Sequence, residues 1–275
     1  VDPGRQEPHA LEGPCILQLL QTLGGGDILE IGAGSGRLAV DLLAGLAQLQ
    51  RLPDRYLILE RSADLRERQQ ALLRAVVPRL AGRVTWLDDL PESGFRGIML
   101  ANEVLDAMPV ERFRWDGKQI ERLCVQAEAL RFGWTDCDAA SPELSAAMLP
   151  VCQDYQLAPG YISEVNLMLP AWLQGIAAAL EQGVLLLADY GYPRHEYYHP
   201  QRDQGTLMCH YRHHTHDDPF LWPGLQDLTA HVDFTAVAEA AQGAGLDVAG
   251  YTTQAAFLLD CGLEELLQAQ GEPGS

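Results

Sequence analysis

The sequence predicts an α/β protein with a Rossmann-like doubly wound core, an antiparallel β insertion and a long lid segment. Three observations predict this fold. Short buried strands alternate with amphipathic helices over about the first hundred residues, which requires a parallel sheet with helical crossovers. A glycine-rich turn at residues 32–36 joins the first strand to a helix. After residue 110, strand-forming runs in a hairpin pattern interrupt the alternation.

The elements of the core follow from apolar periodicity. Apolar residues spaced three or four apart predict helices, and short continuous apolar runs predict strands buried on both faces. The predicted elements, in chain order, are helix Cys15–Leu23, strand Asp27–Ile31, a helix with Leu38, Leu42 and Leu46 on one face, strand Tyr56–Leu59, a helix from the Ser62 cap to about Val77, and strands Arg83–Leu87 and Gly97–Asn102.

The insertion is predicted at residues 111–164. Two strand-forming runs flank Asp116-Gly117, a pair typical of a type I′ hairpin, and a third run completes a meander. Because the insertion springs from the end of a core strand, we expect it on the carboxyl-end rim of the sheet, covering the substrate cleft. The three predicted strands are Glu111–Trp115, Lys118–Val125 and Leu130–Trp134.

The remainder of the chain is predicted to return to the core, which then comprises 14–110 and 165–275. Pro170 stands at the first position of a helix that ends at Gly183, and a buried strand follows. Asp233 caps a last helix, and Leu246–Thr252 is a candidate for the final strand.

Residues 190–230 lack clear periodicity, and a loop of that length is either a functional lid or a misread element. We interpret it as a lid. Its His- and Cys-rich stretch contains residue types that bind zinc, but it lacks paired ligand spacing on a regular element. We therefore predict polar lid contacts and no metal site. The residues of this stretch are Cys209, His210, His213, His214, His216, Asp217 and Asp218.

Composition excludes several classes of protein. Lys and Arg total 19 against 38 Asp and Glu, a net charge of −19, which repels phosphate backbones and favours cationic partners. No apolar run is long enough for a membrane span. The six cysteines are scattered without a C-x-x-C pair, so we expect free thiols in a reducing compartment.

The turn after the first strand has chemistry of its own. Gly32, Gly34 and Gly36 alternate with small residues, one of them Ala33, and glycines let the backbone approach a ligand closely. Free N–H groups at the following helix start favour an anionic group. Glu30, two residues before the first glycine, suits a cationic ligand end better than a pyrophosphate. An arginine stands where a dinucleotide fold would place its third glycine.

Two further acids follow neighbouring strands. Glu60 ends the second strand, where a carboxylate can accept both hydroxyls of an adenosine ribose. It can instead be an acid near the helix dipole or in solvent. Asp88, after the third strand, either faces the adenine edge or belongs to a plain turn.

The stretch Glu30–Gly36 resembles motif I of class I S-adenosylmethionine-dependent methyltransferases. Leu100–Val110, Ala188–Gly191 and Asp227–Phe234 resemble the MidA/NDUFAF7 family, long catalogued as a domain of unknown function. The similarity covers nearly the whole chain. It implies a Rossmann-like methyltransferase with S-adenosylmethionine as its cofactor. The family's eukaryotic members are mitochondrial, serve respiratory complex I assembly and methylate a protein arginine.

The chain departs from the family pattern at both ends. It shows neither the Gly-Asp-Phe-x-Thr-like stretch ahead of the first strand nor the closing Met-Gly-Glu-x-Phe-like motif. Val1–Gly13 shows no apolar signal core and no clear transit helix. The location expected by default is the bacterial cytoplasm, or the mitochondrion if the source is eukaryotic.

The candidate catalytic residues are acids at strand ends. A guanidinium acceptor arrives protonated, so carboxylates must neutralise it and help to remove a proton. Glu103, the first choice, and Asp106 follow the fourth strand, and Asn102 is expected to border the methionine moiety. Glu164 and Asp189 are predicted to face the cleft. Asp106 can instead cap a turn, and Asp189 can instead hold the lid through backbone hydrogen bonds.

The sequence therefore predicts S-adenosylmethionine-dependent methylation of a protein side chain, most readily arginine, with a respiratory complex I subunit as one acceptor. A catalytically silent assembly factor with the same fold and an NAD-dependent oxidoreductase are the alternatives. The predicted partner is an arginine-bearing protein, and no nucleic acid or membrane is expected.

Overall fold

The computed structural model describes residues 13–129, 131–137, 140–212 and 214–262. The chain divides into two compact units. The first unit comprises the residues up to Asn102, Gly175–Ala188 and the residues from Val248 onward. The second unit comprises Glu103–Gln174 and Asp189–Asp247, so it is larger than the predicted insertion at 111–164.

The described helices and strands, in chain order, are as follows. The helices are α1 Gly13–Leu23, α2 Arg37–Gln48, α3 Ala63–Val76, α4 Pro142–Asp154, α5 Leu169–Ala179, α6 Arg194–Tyr197, α7 Phe234–Gly243 and α8 Gln254–Asp260. The strands are β1 Asp27–Ile31, β2 Tyr56–Leu59, β3 Val84–Leu87, β4 Phe95–Asn102, β5 Glu111–Trp115, β6 Ile120–Glu128, β7 Arg131–Asp136, β8 Tyr161–Val165, β9 Leu180–Ala188, β10 Gly191–Tyr192, β11 Met208–Tyr211, β12 His214–His216, β13 Asp227–Thr229 and β14 Val232–Asp233.

A parallel sheet in the order β3-β2-β1-β4-β9 forms the centre of the first unit. The registers pair Ile31 with Leu59 on one side and with Ala101 on the other, so β1, β2 and β4 end at the same edge. In a sheet of this kind, ligands bind outside the carboxyl ends of the strands. The predicted α/β fold with a doubly wound parallel core is confirmed.

Burial of apolar side chains holds the first unit together. Ile28, Ile58 and Ile98 on adjacent strands are fully buried, and so are Leu43 and Leu46 of α2. Each buried side chain of this size contributes about 1.5 to 3 kcal/mol relative to exposure. The unbroken apolar run of β2 is typical of a strand covered on both faces, and all five residues of β1 are buried as well.

Two glycines allow neighbouring strands of the parallel sheet to approach each other closely. A Cβ built on Gly97 would lie 1.9 Å from the Asp27 carbonyl oxygen, and one built on Gly183 would lie 1.9 Å from the Gly97 carbonyl oxygen. Gly183 was predicted to end a helix, and that prediction is wrong, because α5 stops at Ala179 and Gly183 lies inside β9. A glycine within a strand often marks such contacts.

The second unit contains an antiparallel sheet in the order β7-β6-β5-β8. Helix α4 contributes Leu144, Met148 and Cys152 to a core shared with Phe113 and Trp115. The sequence argument missed α4, although Ser141 caps it and Pro142 stands at its start. Pro150 inside the helix obscures the pattern, because proline normally interrupts a helix.

The turn between β5 and β6 is wider than predicted. Trp115 pairs with Ile120, so the loop spans four residues rather than the two of a type I′ hairpin. The Asp116 carboxylate accepts hydrogen bonds from the N–H groups of Lys118 and Gln119, both at 2.7 Å. This side-chain closure replaces the backbone geometry that the Asp-Gly pair predicted.

Residues 190–230, predicted as a lid, carry short elements of their own. They include β10, α6, and a three-stranded sheet in the order β12-β11-β13. The elements are two to four residues long, which is too short for a periodicity argument to detect. The predicted final strand Leu246–Thr252 is wrong, since the described chain has no strand there and continues to α8.

Cys124 and Cys137 form a disulfide bond, so the prediction of free thiols is wrong for this pair. The two cysteines lie on β6 and directly after β7, with Cα atoms 5.5 Å apart, inside the range that a disulfide spans. Their separation of 13 residues matches no regular cysteine framework, and only strand pairing brings them together. Among the described residues, Cys15, Cys152, Cys209 and Cys261 take part in no disulfide bond.

None of the helices among the described residues combines the length and the apolar character that a bilayer crossing requires.

Candidate active site

The glycine loop after β1 adopts the conformation that its sequence predicts. Gly32, Gly34 and Gly36 have φ values of 68°, 51° and 80°, in the left-handed region that favours glycine. The Gly32 N–H donates to the Leu59 carbonyl at 3.0 Å, and Gly36 donates to the Ala33 carbonyl at 2.8 Å. Gly36 is the N-cap of α2. The loop therefore turns tightly from the end of β1 into a helix N-terminus.

The loop is open on one side and packed on the other. A Cβ built on Gly34 would meet nothing within 4 Å, whereas one built on Gly36 would lie 3.0 Å from Cγ of Gln69. Gly34 therefore borders free space that a ligand can fill, and Gly36 permits α3 to pack against the loop.

Gln69 connects the loop to the predicted ribose acid. Its side-chain amide donates to the Gly34 carbonyl at 2.9 Å and to Oε2 of Glu60 at 3.2 Å. Its oxygen accepts from the Trp86 indole at 2.8 Å. Sequence reasoning missed this fully buried residue, because a glutamine on a polar helix resembles surface. Its position on the turn of α3 that faces Gly36 is visible only in three dimensions.

Glu30 and Glu60 are both buried carboxylates at the ends of adjacent strands. The Tyr56 hydroxyl donates to Oε2 of Glu30 at 2.7 Å. The Ser62 N–H donates to Oε1 of Glu60 at 2.9 Å. Buried carboxylates need such partners, and these bonds fix both side chains in place. The structure thus brings Glu30, the glycine loop and Glu60 to one edge of the sheet.

Asp88 and Asn102 complete the predicted cofactor set in the first unit. The Asp88 side chain is 86% exposed and forms an ion pair with Arg66 at 2.8 Å. Arg66 also donates to the carbonyl of Leu87 at 2.6 Å and to that of Glu60, so it fixes the ends of β2 and β3. Asn102 is half-buried at the end of β4.

In the second unit, Asp189 organises the segment that follows Glu103. Its Oδ2 accepts hydrogen bonds from the backbone N–H groups of Val104, Leu105 and Asp106 at 3.1, 2.8 and 3.3 Å. Burial raises the pKa of Asp189, and these N–H groups act in the opposite direction. Asp189 therefore positions residues 104–106.

Asp106 is 7% exposed, and its environment makes its carboxylate a stronger base than that of an exposed aspartate. Burial, then the negative charges of Asp189 and Glu103, raise its pKa from 3.8 to about 6. A carboxyl group with a pKa in this range can exchange protons near neutral pH. The Asp106 carboxyl also accepts a hydrogen bond from the Ala107 N–H, which is compatible with the alternative role as the cap of a turn.

Glu103 is exposed and has a φ of 50°, in the left-handed region that residues with a side chain rarely adopt. Strained backbone of this kind clusters at functional sites. Tyr190, which is 61% exposed, lies close enough for the charge of Glu103 to raise its pKa. The structure therefore brings together Glu103, Asp106, Asp189 and Tyr190, of which Tyr190 was not predicted.

Glu164 lies in a different environment. Its side chain is fully buried, and burial raises its pKa. Among the described residues its carboxylate contacts Arg112, whose Nε lies 3.3 Å from Oε1, and Thr206, whose N–H donates to Oε2 at 2.8 Å, and it also accepts a hydrogen bond from the Leu207 N–H. These contacts join β8 to residues 206–207, and the catalytic role of Glu164 stays a prediction.

Within the described residues, no group of three or more His, Cys, Asp and Glu side chains is arranged to hold a metal ion. Cys209 and His216 face each other across β11 and β12, and His216 packs edge-on against Trp222. His213, a member of the predicted polar stretch, lies outside the described residues.

Comparison with protein families gives one match over most of the chain. The family model described as "Putative S-adenosyl-L-methionine-dependent methyltransferase" matches residues 13–252.

Curated relatives are about a quarter identical to this chain over the aligned residues. The mitochondrial protein arginine methyltransferase NDUFAF7 of Mus musculus is 27% identical over 90% of this chain and 60% of its own length. The homolog from Drosophila melanogaster is 29% identical over 87% of this chain and 59% of its own length. The chain thus spans about 60% of the length of these relatives.

Solved structures of higher identity share the fold. A COG1565 superfamily member from Burkholderia thailandensis, bound to S-adenosyl-homocysteine, is 43% identical with a TM-score of 0.88, over 95% of this chain and 66% of its own. A native structure of a protein of that superfamily from the same organism is 44% identical, also with a TM-score of 0.88, over 95% of this chain and 68% of its own.

Proposed function

The chain belongs to this family of S-adenosyl-L-methionine-dependent methyltransferases, and from that premise we propose that it methylates an arginine side chain of a protein. The arginine acceptor is supported by the names of the relatives, which are protein arginine methyltransferases. The resemblance to the MidA/NDUFAF7 family suggests a respiratory complex I subunit as the acceptor protein.

The first unit is proposed to bind the methyl donor. S-adenosylmethionine supplies a methyl group on a sulfonium, which makes the leaving group a neutral thioether. Gly32, Ala33, Gly34 and Gly36 form a loop whose Gly34 face is open, as a ligand-binding cradle requires. Glu60 would accept the ribose hydroxyls while Gln69 and Ser62 hold its carboxylate.

Three more residues complete the proposed donor site. Glu30, held by Tyr56, would face the cationic methionine end. Asn102 would border the methionine moiety from the end of β4, and the exposed Asp88 would lie toward the adenine edge. The residues present therefore suit S-adenosylmethionine.

The second unit is proposed to bind the acceptor. Glu103, which directly follows Asn102 in the chain, would bind the protonated guanidinium through charge-assisted hydrogen bonds. Asp106 would take a proton from the guanidinium nitrogen, which frees the lone pair that forms the new N–C bond. Asp189 is proposed to position both residues through the backbone it binds. In this proposal Glu164 only stabilises the fold of the second unit.

The observation that carries this assignment is the environment of Asp106. Its pKa of about 6, raised by burial beside two other carboxylates, suits a proton acceptor at neutral pH. Residues 190–230 belong to the same unit and are proposed to cover the acceptor.

The test compares Glu103→Gln with Glu60→Gln in the same two assays. Calorimetry measures affinity for S-adenosylhomocysteine, and mass spectrometry measures methylation of an arginine-bearing protein substrate. Glu103→Gln should leave cofactor affinity nearly unchanged and reduce transfer about 10- to 100-fold, since a charged hydrogen bond contributes roughly 1.5 to 3 kcal/mol. Glu60→Gln should weaken cofactor binding.

Equal loss of cofactor affinity in both variants would place Glu103 in the cofactor site instead. Cofactor binding by the wild type without transfer to arginine would contradict the proposed activity and favour an assembly factor that has no catalysis.

A further inference from the structure

A cavity of about 790 Å³ in the second unit brings three arginines together in an otherwise acidic chain. Arg112, Arg114 and Arg202 line it, and the chain as a whole carries a net charge of −19. Its volume lies in the range of ligand-binding cavities. The site residues proposed above do not line this cavity. Its other lining residues include Leu123, Trp134, Ile162, Leu207, Met208 and His231.

Two of the three arginines are neutralised by acids of this chain. Arg112 pairs with buried Glu164, and Arg114 pairs with Glu121 at 2.8 Å and Asp136 at 2.6 Å. Among the described residues, Arg202 has no carboxylate within ion-pair distance. Arg202 is therefore the guanidinium in this cavity whose charge is left for a ligand.

The orientation of Arg202 is fixed before any ligand arrives. Its guanidinium lies over the Tyr192 ring, 4.0 Å from the centroid, and one of its nitrogens donates to the Glu196 carbonyl. Tyr192 in turn contacts the His231 ring edge-on, with centroids 5.1 Å apart. A stacked guanidinium loses little side-chain entropy on binding, and its planar N–H fork matches a carboxylate.

His231 provides a second polar group at the same wall. Its Nδ1 is buried without a hydrogen-bond partner among the described residues. Burial, and then the charge of Arg202, lower its pKa, so the ring is neutral at pH 7 and can donate or accept one hydrogen bond. Asp217 also lines the cavity, but it is exposed, and solvent screens its charge.

We infer that this cavity binds a carboxylate-bearing peptide segment of a partner protein, with Arg202 as the anchor. The apolar lining residues suit aliphatic side chains beside the carboxylate, which a small free acid does not carry. The inference rests on the proposed function only in that the acceptor protein is the natural source of such a segment. The acidic segment would dock in this cavity while the arginine is methylated elsewhere.

The probe is a fluorescently labelled peptide, acetyl-Leu-Glu-Asp-Leu-Glu-Leu-amide, and anisotropy measures its binding to the full chain. The matched peptide with Gln and Asn in place of the acids should bind at least tenfold more weakly. Arg202→Gln should weaken binding of the acidic peptide about tenfold or more. Arg202→Lys, which keeps the charge but not the planar fork, should give an intermediate affinity.

Arg79→Gln is the matched control, because Arg79 is an exposed arginine in the first unit. It should bind the acidic peptide like the wild type. Unfolding midpoints show whether Arg202→Gln remains folded, and its affinity for S-adenosylhomocysteine should equal that of the wild type. Cofactor binding and peptide binding are thus read separately, so failure of one proposal does not imply failure of the other.

Three results would overturn the inference. Arg202→Gln and Arg79→Gln could bind the acidic peptide equally well, or the Gln/Asn peptide could bind as tightly as the acidic one. Free succinate could displace the labelled peptide at concentrations comparable to those of the unlabelled peptide, which would indicate a site for a small carboxylate instead.

Discussion

The carboxylate of Asp189 accepts a hydrogen bond from the backbone N–H of Leu105 at 2.8 Å, although 84 residues separate the two in the chain. The same oxygen also accepts from the N–H groups on either side of Leu105. One carboxylate thus sets the path of the backbone between Glu103 and Asp106.

Replacing Asp189 by Asn should disturb this path. The amide cannot match a carboxylate oxygen that accepts from three N–H groups, so we expect a loss of stability of about 1.5 to 3 kcal/mol, since hydrogen bonds to charged groups are worth this much. Methyl transfer should fall while cofactor affinity holds. Urea unfolding and the transfer assay measure these effects, with Asp247→Asn, an exposed aspartate of the same unit, as the control. Wild-type stability and transfer in Asp189→Asn would contradict the positioning role.

Asp106 should make stability depend on pH. Its pKa in the folded chain, about 6, lies above the ordinary value of 3.8, so the folded state holds this proton more tightly than the unfolded state. Its contribution is fully present below about pH 4 and is lost as the pH rises through about 6. Asp106→Asn should therefore be more stable than the wild type at pH 8, and the difference should shrink at pH 4.5. A difference of the same size at both values would refute the assignment.

Gln69→Met should remove the hydrogen bonds that link the glycine loop to Glu60. The substitution keeps the length of the side chain but leaves the Trp86 indole and the Gly34 carbonyl without their partner. We expect a loss of about 1 to 3 kcal/mol in stability and weaker binding of S-adenosylhomocysteine. Gln70→Met, one residue along α3, is the control for calorimetry and unfolding. Equal stability and equal cofactor affinity in Gln69→Met and Gln70→Met would contradict the role of Gln69 as the link between the loop and Glu60.

Gly34→Val tests the cradle. Its φ of 51° strains any side chain, and the branched Cβ would project into space that the protein leaves open. Cofactor binding should be lost in calorimetry while the chain still unfolds cooperatively. Gly224→Val, also at positive φ with open space around the Cβ, carries a similar strain and should bind normally. Unchanged affinity in Gly34→Val would remove the loop from the cofactor site.

The disulfide between Cys124 and Cys137 should stabilise the second unit. Closing a loop of 13 residues corresponds to about 3 kcal/mol in the chain-entropy account. The double variant Cys124→Ser/Cys137→Ser should lose about that amount in urea unfolding, and Cys261→Ser should not. Dithiothreitol should destabilise the wild type and leave the double variant unchanged; sensitivity of both to reductant would contradict the pairing.

The parallel core was predictable because its signals are local. The buried strand β2 is a continuous apolar run, β1 runs directly into the glycine turn, and that turn and the Ser62 cap mark where the helices begin. Glu30 and Glu60 follow from the same logic, since each stands at or just beyond the end of a strand. The family resemblance then supplied the cofactor, which spacing alone does not name.

The second unit was harder to predict because its contacts join distant segments. Arg112 meets Glu164 only when β5 pairs with β8, and nothing in the sequence near Glu164 indicates a buried ion pair. The sequence therefore predicted a catalytic role for Glu164 and did not predict this ion pair. Tyr190 and Gln69 were missed for the same reason. The role of Gln69 depends on Gly34, 35 residues away in the chain, and that of Tyr190 depends on Glu103.

The bond between Cys124 and Cys137 also has an evolutionary consequence. The outer part of the β6–β7 hairpin packs mainly through Trp134, which contacts Phe220 and Arg112, while Val125 and Phe132 are both about half exposed. A hairpin with so little buried surface is prone to slip by one residue, and slipping would move Trp134 to the opposite face, away from the cavity that Arg202 lines. The cystine at its base forbids that slip. In homologous chains that keep both cysteines, the residues of the outer hairpin should therefore vary freely. Homologous chains that lack the two cysteines should carry larger apolar residues in the outer hairpin.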